Sequence, residues 1–97
     1  MEDLKQLEGK IVYAIYNNQG SRGVIYRETF YNINFLIDGY ITLKEINSGE
    51  INSVREISDP SDIEKRIAKA VVSNKPEVKL KIPFMFLRNH KQKFRTA

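Results

Sequence analysis

Basic side chains are the residues in this sequence whose type and spacing point most directly to a chemistry. Closely spaced cations neutralise several phosphates at once and release counterions, which gives salt-dependent binding to nucleic acid. The predicted RNA-binding set is Lys79, Lys81, Arg88, Lys91, Lys93 and Arg95, extended by Arg22 and Arg27 if the first and last parts of the fold are neighbours.

The net charge of +4 is distributed unevenly along the chain. Residues 1–60 carry six Lys and Arg against nine Asp and Glu, whereas residues 61–97 carry ten against three. This asymmetry favours a polyanionic partner. Charge alone leaves open the simpler alternative that a basic C-terminal end only keeps a small protein soluble.

Catalysis and metal binding have little support in the sequence. There is no cysteine, and the lone histidine, His90, lies in a basic segment with no nearby carboxylate to orient it. A thiol nucleophile, a paired general base and a thiolate metal site are therefore missing. We expect no enzymatic activity, no metal and no cofactor. No apolar run approaches the roughly 18 residues of a membrane span, so we expect a cytoplasmic protein.

Aromatic and acidic residues in the first half admit two interpretations each. Tyr26, Tyr31 and Tyr40 are candidate stacking platforms for unpaired bases, although core packing with a hydroxyl at the surface is the alternative for at least two of them. Glu28, beside Thr29, is predicted in mid-strand, where its carboxylate would fix a corner by accepting backbone hydrogen bonds. The alternative is that Glu28 and Thr29 simply face outward.

The elements that must position these side chains are mainly strands. Residues 23–43 are rich in Val, Ile, Tyr, Phe and Thr, which are typical of strands. We predict a short N-terminal helix within residues 2–7 and a central first strand over 10–16. A loop over 17–21 follows, and then strands over 22–31 and 32–37 with a sharp bend near Tyr31 and Asn32.

Two turn signals set the predicted register of the next strands. Asp38-Gly39 allows a two-residue turn that pairs Ile37 with Tyr40, or a three-residue loop that pairs Leu36 with Tyr40. The three-residue loop places Ile33 opposite Leu43 and gathers four large apolar side chains on one face, so it is preferred. Asn47-Ser48-Gly49 predicts a further hairpin that would set Ile51 on the same side as Ile41 and Leu43.

The last third of the chain combines one helix with one strand. An amphipathic helix is predicted over residues 60–72, with Asp59 as N-cap or, alternatively, a capping box from Ser61 to Glu64. Alternation over residues 78–87 predicts an edge strand, because Pro83 lacks an amide donor. The sequence therefore predicts one domain over 1–87, a small antiparallel β-barrel of five to six strands, followed by a basic tail over 88–97.

This order of elements resembles the Sm-like small barrel. Within that fold, the chain is most similar to the archaeal and eukaryotic ribonuclease P protein subunit. The likeness rests on Leu7-Glu8-Gly9, on Gly23-Val24-Ile25-Tyr26-Arg27-Glu28-Thr29 followed by Asn32-Ile33, and on Lys79-Leu80-Lys81 with Arg88. The chain departs from that pattern in one extra residue after Thr29, in the late helix and in the residues that follow Arg88.

The resemblance implies an RNA-binding accessory subunit of a ribonucleoprotein, with no active site of its own, that works beside a catalytic RNA and a second protein. A protein-binding adaptor or inhibitor that adds its edge strand to a partner sheet is the alternative from another class. A homo-oligomeric ring is a third interpretation, and the sequence leaves the oligomeric state open.

Overall fold

The computed structural model describes residues 4–73 and 81–83, with only the backbone described at 34–37 and 81–83. Five antiparallel strands form the body: β1 (Ile11–Tyr16), β2 (Gln19–Tyr26), β3 (Thr29–Ile37), β4 (Tyr40–Asn47) and β5 (Ile51–Glu56). They are joined by a 3₁₀ helix (Leu4–Leu7), a 3₁₀ turn (Ser48–Glu50), helix α1 (Asp62–Val72) and the short strand β6 (Lys81–Pro83). The prediction of a mainly β, antiparallel protein is confirmed.

The strands form one sheet in the order β5-β1-β2-β3-β4-β6. Over the described residues this sheet is open, with β5 at one edge and β6 at the other. Strand β1 lies inside the sheet between β5 and β2, which confirms the predicted central position. Strand β6 lies at an edge of the sheet, as predicted from Pro83, because an edge strand tolerates a residue without an amide hydrogen. The rest of the predicted last strand, 78–80 and 84–87, lies outside the described residues.

Alternating residues of the strands build two hydrophobic cores, one on each face of the sheet. Val12, Ala14 and Tyr16 of β1 face a core that also contains the 3₁₀ helix residues Leu4 and Leu7. The short helix predicted within residues 2–7 is thus present as the 3₁₀ helix Leu4–Leu7. On the other face, Ile11, Val24, Tyr31, Ile41 and Leu43 pack with the apolar side of α1. The helix therefore covers this second face of the sheet.

The connection between β2 and β3 differs from the prediction. The chain turns at Arg27 and Glu28, whose φ angles are 54° and 60°, and Tyr26 pairs with Thr29 across the turn. Two successive positive φ angles define a tight turn whose twist fits a hairpin, but Asn and Gly are its usual residues. The bend predicted near Tyr31 and Asn32 is wrong because Arg-Glu gives no compositional signal for such a turn.

The preceding hairpin also begins earlier than predicted. Asn17 and Asn18 form a two-residue turn with φ angles of 52° and 61°, and β2 starts at Gln19. The predicted loop over residues 17–21 is therefore too long. Asn tolerates the left-handed region because its short polar side chain forms hydrogen bonds with the nearby backbone. The sequence therefore predicted a turn at the correct residues but made it too long.

The turn between β3 and β4 combines parts of both registers that the sequence allowed. Asp38 and Gly39 have φ angles of 52° and 81°, and Ile37 pairs with Tyr40, so the preferred three-residue loop is wrong. The predicted pairing of Ile33 with Leu43 is nevertheless confirmed, because the register shifts between Ile33 and Leu36. This bulge sets Ile33 opposite Leu43, and both side chains pack in the same core.

Strand β5 does not form the predicted hairpin with β4. The 3₁₀ turn Ser48–Glu50 redirects the chain, and β5 pairs with β1 instead. The register shift pairs Ile15 with Ser53 and Tyr16 with Ile51, which leaves Asn52 as an extra residue. This bulge explains why the buried residues Ile51 and Val54 are three apart, and Ile51 lies in the core opposite to that of Ile41 and Leu43.

Helix α1 begins within the region that the sequence indicated. Ser61 is the N-cap, and the Ser61 hydroxyl accepts a hydrogen bond from the Glu64 amide while the Glu64 carboxylate accepts one from the Ser61 amide. The capping box is confirmed, and Asp59 is not the N-cap. Ile67, Ala68, Ala70 and Val71 are buried against the sheet, as the predicted apolar stripe requires.

Candidate nucleic-acid interface

Arg22, the first residue of the predicted RNA-binding set, is bound to a carboxylate of α1. Its Nε and an Nη donate to the Glu64 carboxylate at 2.6 and 2.9 Å, a bidentate geometry that holds the helix against β2. The side-chain hydrogen bonds from Arg22 lower the pKa of Glu64, and the same bonds raise the pKa of Arg22. A phosphate would have to compete with Glu64 for this guanidinium.

Arg27 is exposed at the turn between β2 and β3. Its guanidinium carbon lies 5.2 Å from the centroid of the Tyr26 ring, so the cation stacks on an aromatic face. Its backbone amide donates to the Glu8 carboxylate at 2.6 Å, which ties the turn to the N-terminal segment. An exposed cation on an aromatic ring is an arrangement that binds nucleic-acid backbones and unpaired bases.

The remaining predicted cations belong to the C-terminal part of the chain. Lys81 lies in β6, where its backbone pairs with Thr42 of β4. Lys79, Arg88, Lys91, Lys93 and Arg95 lie outside the described residues, so their RNA contacts stay a prediction. The structure thus provides an attachment point for this set at the edge of the sheet.

The strand order does not bring Arg22 and Arg27 next to Lys81. Strands β3 and β4 lie between β2, which leads into Arg27, and β6. Arg27 also sits beside the Thr29 and Asn47 pair, five residues along β4 from the Thr42 partner of Lys81, or about 17 Å of strand. The condition for one continuous patch, adjacency of the first and last parts of the sheet, is not met in the described residues.

Charge is balanced in the continuously described body. Residues 4–73 contain nine Lys and Arg and nine Asp and Glu, whereas residues 74–97 contain seven Lys and Arg and one Glu. Ion pairs join Arg22 to Glu64, Lys5 to Glu28 and Lys10 to Glu56 within this body. The net positive charge of the protein therefore comes from the residues that follow α1.

Glu8, and not Glu28, has the corner-fixing role that the sequence suggested for Glu28. Glu28 lies in the turn, not in mid-strand, and its carboxylate meets Lys5 at 3.9 Å with 53% of its side chain exposed. Glu8 is the carboxylate that accepts a backbone hydrogen bond at this corner, from Arg27. The corner-fixing role predicted for Glu28 is therefore wrong, its outward-facing alternative is confirmed, and at this corner the role belongs to Glu8 on the preceding segment.

The three candidate tyrosines differ in exposure. Tyr31 is buried, and its hydroxyl donates to Glu45 at 3.3 Å; burial, followed by the charge of Glu45, raises its pKa. Tyr26 is half-buried beneath Arg27, and Tyr40 is exposed. Tyr31 is therefore a core residue with a polar tip, and Tyr26 and Tyr40 have ring surface at the exterior.

A second cation on an aromatic ring was not anticipated from the sequence. The Arg55 guanidinium lies 5.2 Å from the centroid of the Tyr13 ring, across the pairing of β5 with β1. The Tyr13 hydroxyl occupies the space that a side chain at position 20 would need. Arg55 lies beside Tyr13 because β5 pairs with β1. The sequence predicted a hairpin of β5 with β4 instead, so it did not predict this contact.

Asn32, which belongs to the motif behind the family resemblance, is buried in the core. Its Nδ2 donates to the Tyr16 hydroxyl at 2.6 Å, and its Oδ1 has no hydrogen-bond partner among the described residues. Tyr16 also meets the Phe30 ring edge-on with centroids 6.0 Å apart. In this fold the Asn32 side chain links β3 to β1, the two strands on either side of β2.

Comparison with protein-family models, with curated proteins and with solved structures gives no match for this chain. Within the described residues, no three His, Cys, Asp or Glu side chains come together in a way that would hold a metal ion. No helix in the described part has the length and apolar character of a membrane span. The features of this structure that bear on function are therefore its charged side chains and its aromatic rings.

Proposed function

We propose that this protein is an RNA-binding accessory protein with no active site of its own, built as an Sm-like barrel and acting in the cytoplasm. A short N-terminal helix followed by five antiparallel strands, all of which contribute residues to the core that contains Leu4 and Leu7, supports the Sm-like assignment. Closure of the sheet into a barrel is part of the proposal. The more specific assignment, a ribonuclease P protein component beside a catalytic RNA and a second protein, rests on the sequence resemblance.

The observation that carries the RNA proposal is the separation of charge between body and C-terminal segment. The body from residue 4 to residue 73 is neutral, and the basic residues that follow α1 are tied to the sheet where β6 pairs with β4. A basic segment attached to a folded body brings its cations to a polyanion at a lower cost in conformational entropy, because the body is already ordered before binding. The body adds one exposed candidate contact for RNA, the Arg27 guanidinium stacked on the Tyr26 ring.

Two variants with the same charge change test this proposal. The first replaces Lys79, Lys81, Arg88 and Lys91 by Ala, and the control replaces Lys5, Lys10, Lys44 and Lys65 of the body by Ala. Electrophoretic mobility shift with a precursor transfer RNA should show that the first variant loses binding and the control retains most of it. Equal loss in both variants would show that only net charge matters and would contradict the proposal.

The ribonuclease P assignment has its own test. Affinity purification of the tagged protein from its native cell, with identification of bound RNA and protein, should recover the catalytic RNA together with a second protein subunit. Recovery of messenger RNA or of ribosomal RNA alone would contradict the ribonuclease P assignment and leave the RNA-binding proposal in place.

The adaptor alternative is favoured by one observation, the unpaired side of β5. In the part of the chain that the structure describes, β5 pairs only with β1, so its other edge is open to a partner strand. Asn52, Ser53, Arg55 and Glu56 of this strand are exposed. The four-fold Ala variant of the basic segment separates the two functions, because strand addition at β5 should survive it.

A further inference from the structure

The structure contains a groove that RNA binding does not explain, between α1, the start of β1 and the segment that follows β5. It encloses about 580 Å³. Its floor is formed mainly by Ile11, Ile57, Ala68 and Val72, and Val72 is 41% exposed although it is a large apolar residue. We call this feature the α1 groove.

The rim of the α1 groove is basic. Lys65 and Lys69 are four residues apart on α1, so both side chains lie on the same side of the helix, along the groove. Both are exposed, and neither has an ion-pair partner among the described residues. Lys10 and Glu56 lie across from them and pair with each other at 3.7 Å. The rim therefore carries a net positive charge.

An apolar floor with a cationic rim distinguishes the groove from a surface built for phosphates. Phosphate binding depends on cations and hydrogen-bond donors and gains nothing from exposed aliphatic side chains. An amphipathic helix, in contrast, buries its apolar face in a groove and places its charged flanks at the rim. Because the rim is positive, the flanks of a matching helix are acidic.

We propose that the α1 groove docks an acidic amphipathic helix of a partner protein. The apolar face of that helix covers Ile57, Ala68 and Val72, and its Asp or Glu side chains pair with Lys65 and Lys69. None of the groove residues belongs to the predicted RNA-binding set, so the proposal does not depend on RNA binding.

The test uses the full chain without RNA and three synthetic helical peptides. The first has Leu at every third and fourth position with Glu on both flanks, the second replaces each Glu by Lys, and the third has the composition of the first in scrambled order. We expect the first to bind, as measured by fluorescence anisotropy, and to shift the NMR signals of the Ile11, Ile57 and Val72 methyl groups. The second and third peptides should bind at least about tenfold more weakly.

Variants locate the interaction. Lys65→Glu with Lys69→Glu should weaken binding of the first peptide about tenfold or more and should allow the Lys peptide to bind. Lys5→Glu with Lys44→Glu, the same charge change outside the groove, should leave binding nearly unchanged. Val72→Ser, at an exposed position, should weaken binding without loss of the folded state, as checked by circular dichroism.

Several results would overturn the proposal. They include equal binding of all three peptides, methyl shifts confined to other residues, and unchanged affinity in the Lys65 and Lys69 variant. RNA that shifts the same methyl groups would assign the groove to nucleic acid. A second copy of the chain would be the occupant if these methyl signals changed with protein concentration and sedimentation showed a dimer, which would equally contradict an acidic helix.

Discussion

At the scale of single residues, close contacts explain features that the sequence showed only as composition. Gly23 opens the motif behind the family resemblance, and it lies on β2 opposite Asn32 of β3. A Cβ atom at position 23 would lie 2.6 Å from Phe30 Cε1 and would also collide with the Tyr31 carbonyl oxygen. The need for glycine is therefore steric and comes from the packing of β3 on β2.

Gly23→Ala should consequently destabilise the protein by about 3 kcal/mol, because backbone and a core ring must both move. Urea unfolding followed by circular dichroism measures this loss. Gly49→Ala is the matched control, since a Cβ atom at position 49 meets no atom within 4 Å, and it should change stability by less than about 0.5 kcal/mol. Similar stabilities of the two variants would contradict the packing described for β2 and β3.

The pair of Arg22 and Glu64 gives a prediction about pH. The pKa of Glu64 is lowered in the folded protein, so the folded state binds fewer protons than the unfolded state just below the ordinary carboxyl range. The stabilisation by this pair is present at neutral pH and is lost as the pH falls through the lowered pKa. Because Arg22 is 46% exposed, solvent screening limits the effect.

Glu64→Gln should cost about 1 kcal/mol at neutral pH and progressively less in acid, where the wild-type pair is also lost. Gln still fits a capping box, so this variant isolates the charge. Glu56→Gln, whose pair with Lys10 is about half exposed on both sides, is the control and should have little effect. Urea titrations between neutral and acid pH check both; a constant deficit for Glu64→Gln would contradict the assignment.

At the scale of elements, the sequence predicted strands and helix well and turns poorly. Hydrophobic alternation marked β1, and the capping box with the apolar stripe marked α1, because these signals repeat over several residues. A tight turn depends on the backbone angles of only two residues, and Arg27 and Glu28 reach the left-handed region although their residue types rarely adopt it. The bulges at Asn52 and between Ile33 and Leu36 also shift pairing without a compositional mark.

The turn at Arg27-Glu28 should respond to glycine in the opposite way from a strand. Glu28→Gly relieves a positive φ angle and should raise stability by about 0.5 kcal/mol. Glu56→Gly removes a comparable glutamate, also paired with a lysine, from an extended strand and should lower stability by about 1 kcal/mol. Thermal unfolding compares the two, and an equal loss in both would exclude the described turn.

At the scale of the whole molecule, the proposed function depends on where the charge lies relative to the folded body. The sequence alone showed that the cations concentrate late in the chain. It could not show that Arg22 is engaged by Glu64, that Arg55 stacks on Tyr13, or that β3 and β4 separate β2 from β6. These facts depend on which strands pair, and strand pairing joins residues far apart in the chain.

The salt dependence of RNA affinity tests the central claim, that the basic segment after α1 binds a polyanion, most directly. Affinity for precursor transfer RNA should fall steeply between about 50 and 200 mM salt, and the slope should lessen by about 3 in the variant with Ala at Lys79, Lys81, Arg88 and Lys91. The body variant with Ala at Lys5, Lys10, Lys44 and Lys65 should keep the wild-type slope. A flat wild-type affinity, or equal slopes in all three proteins, would contradict the claim.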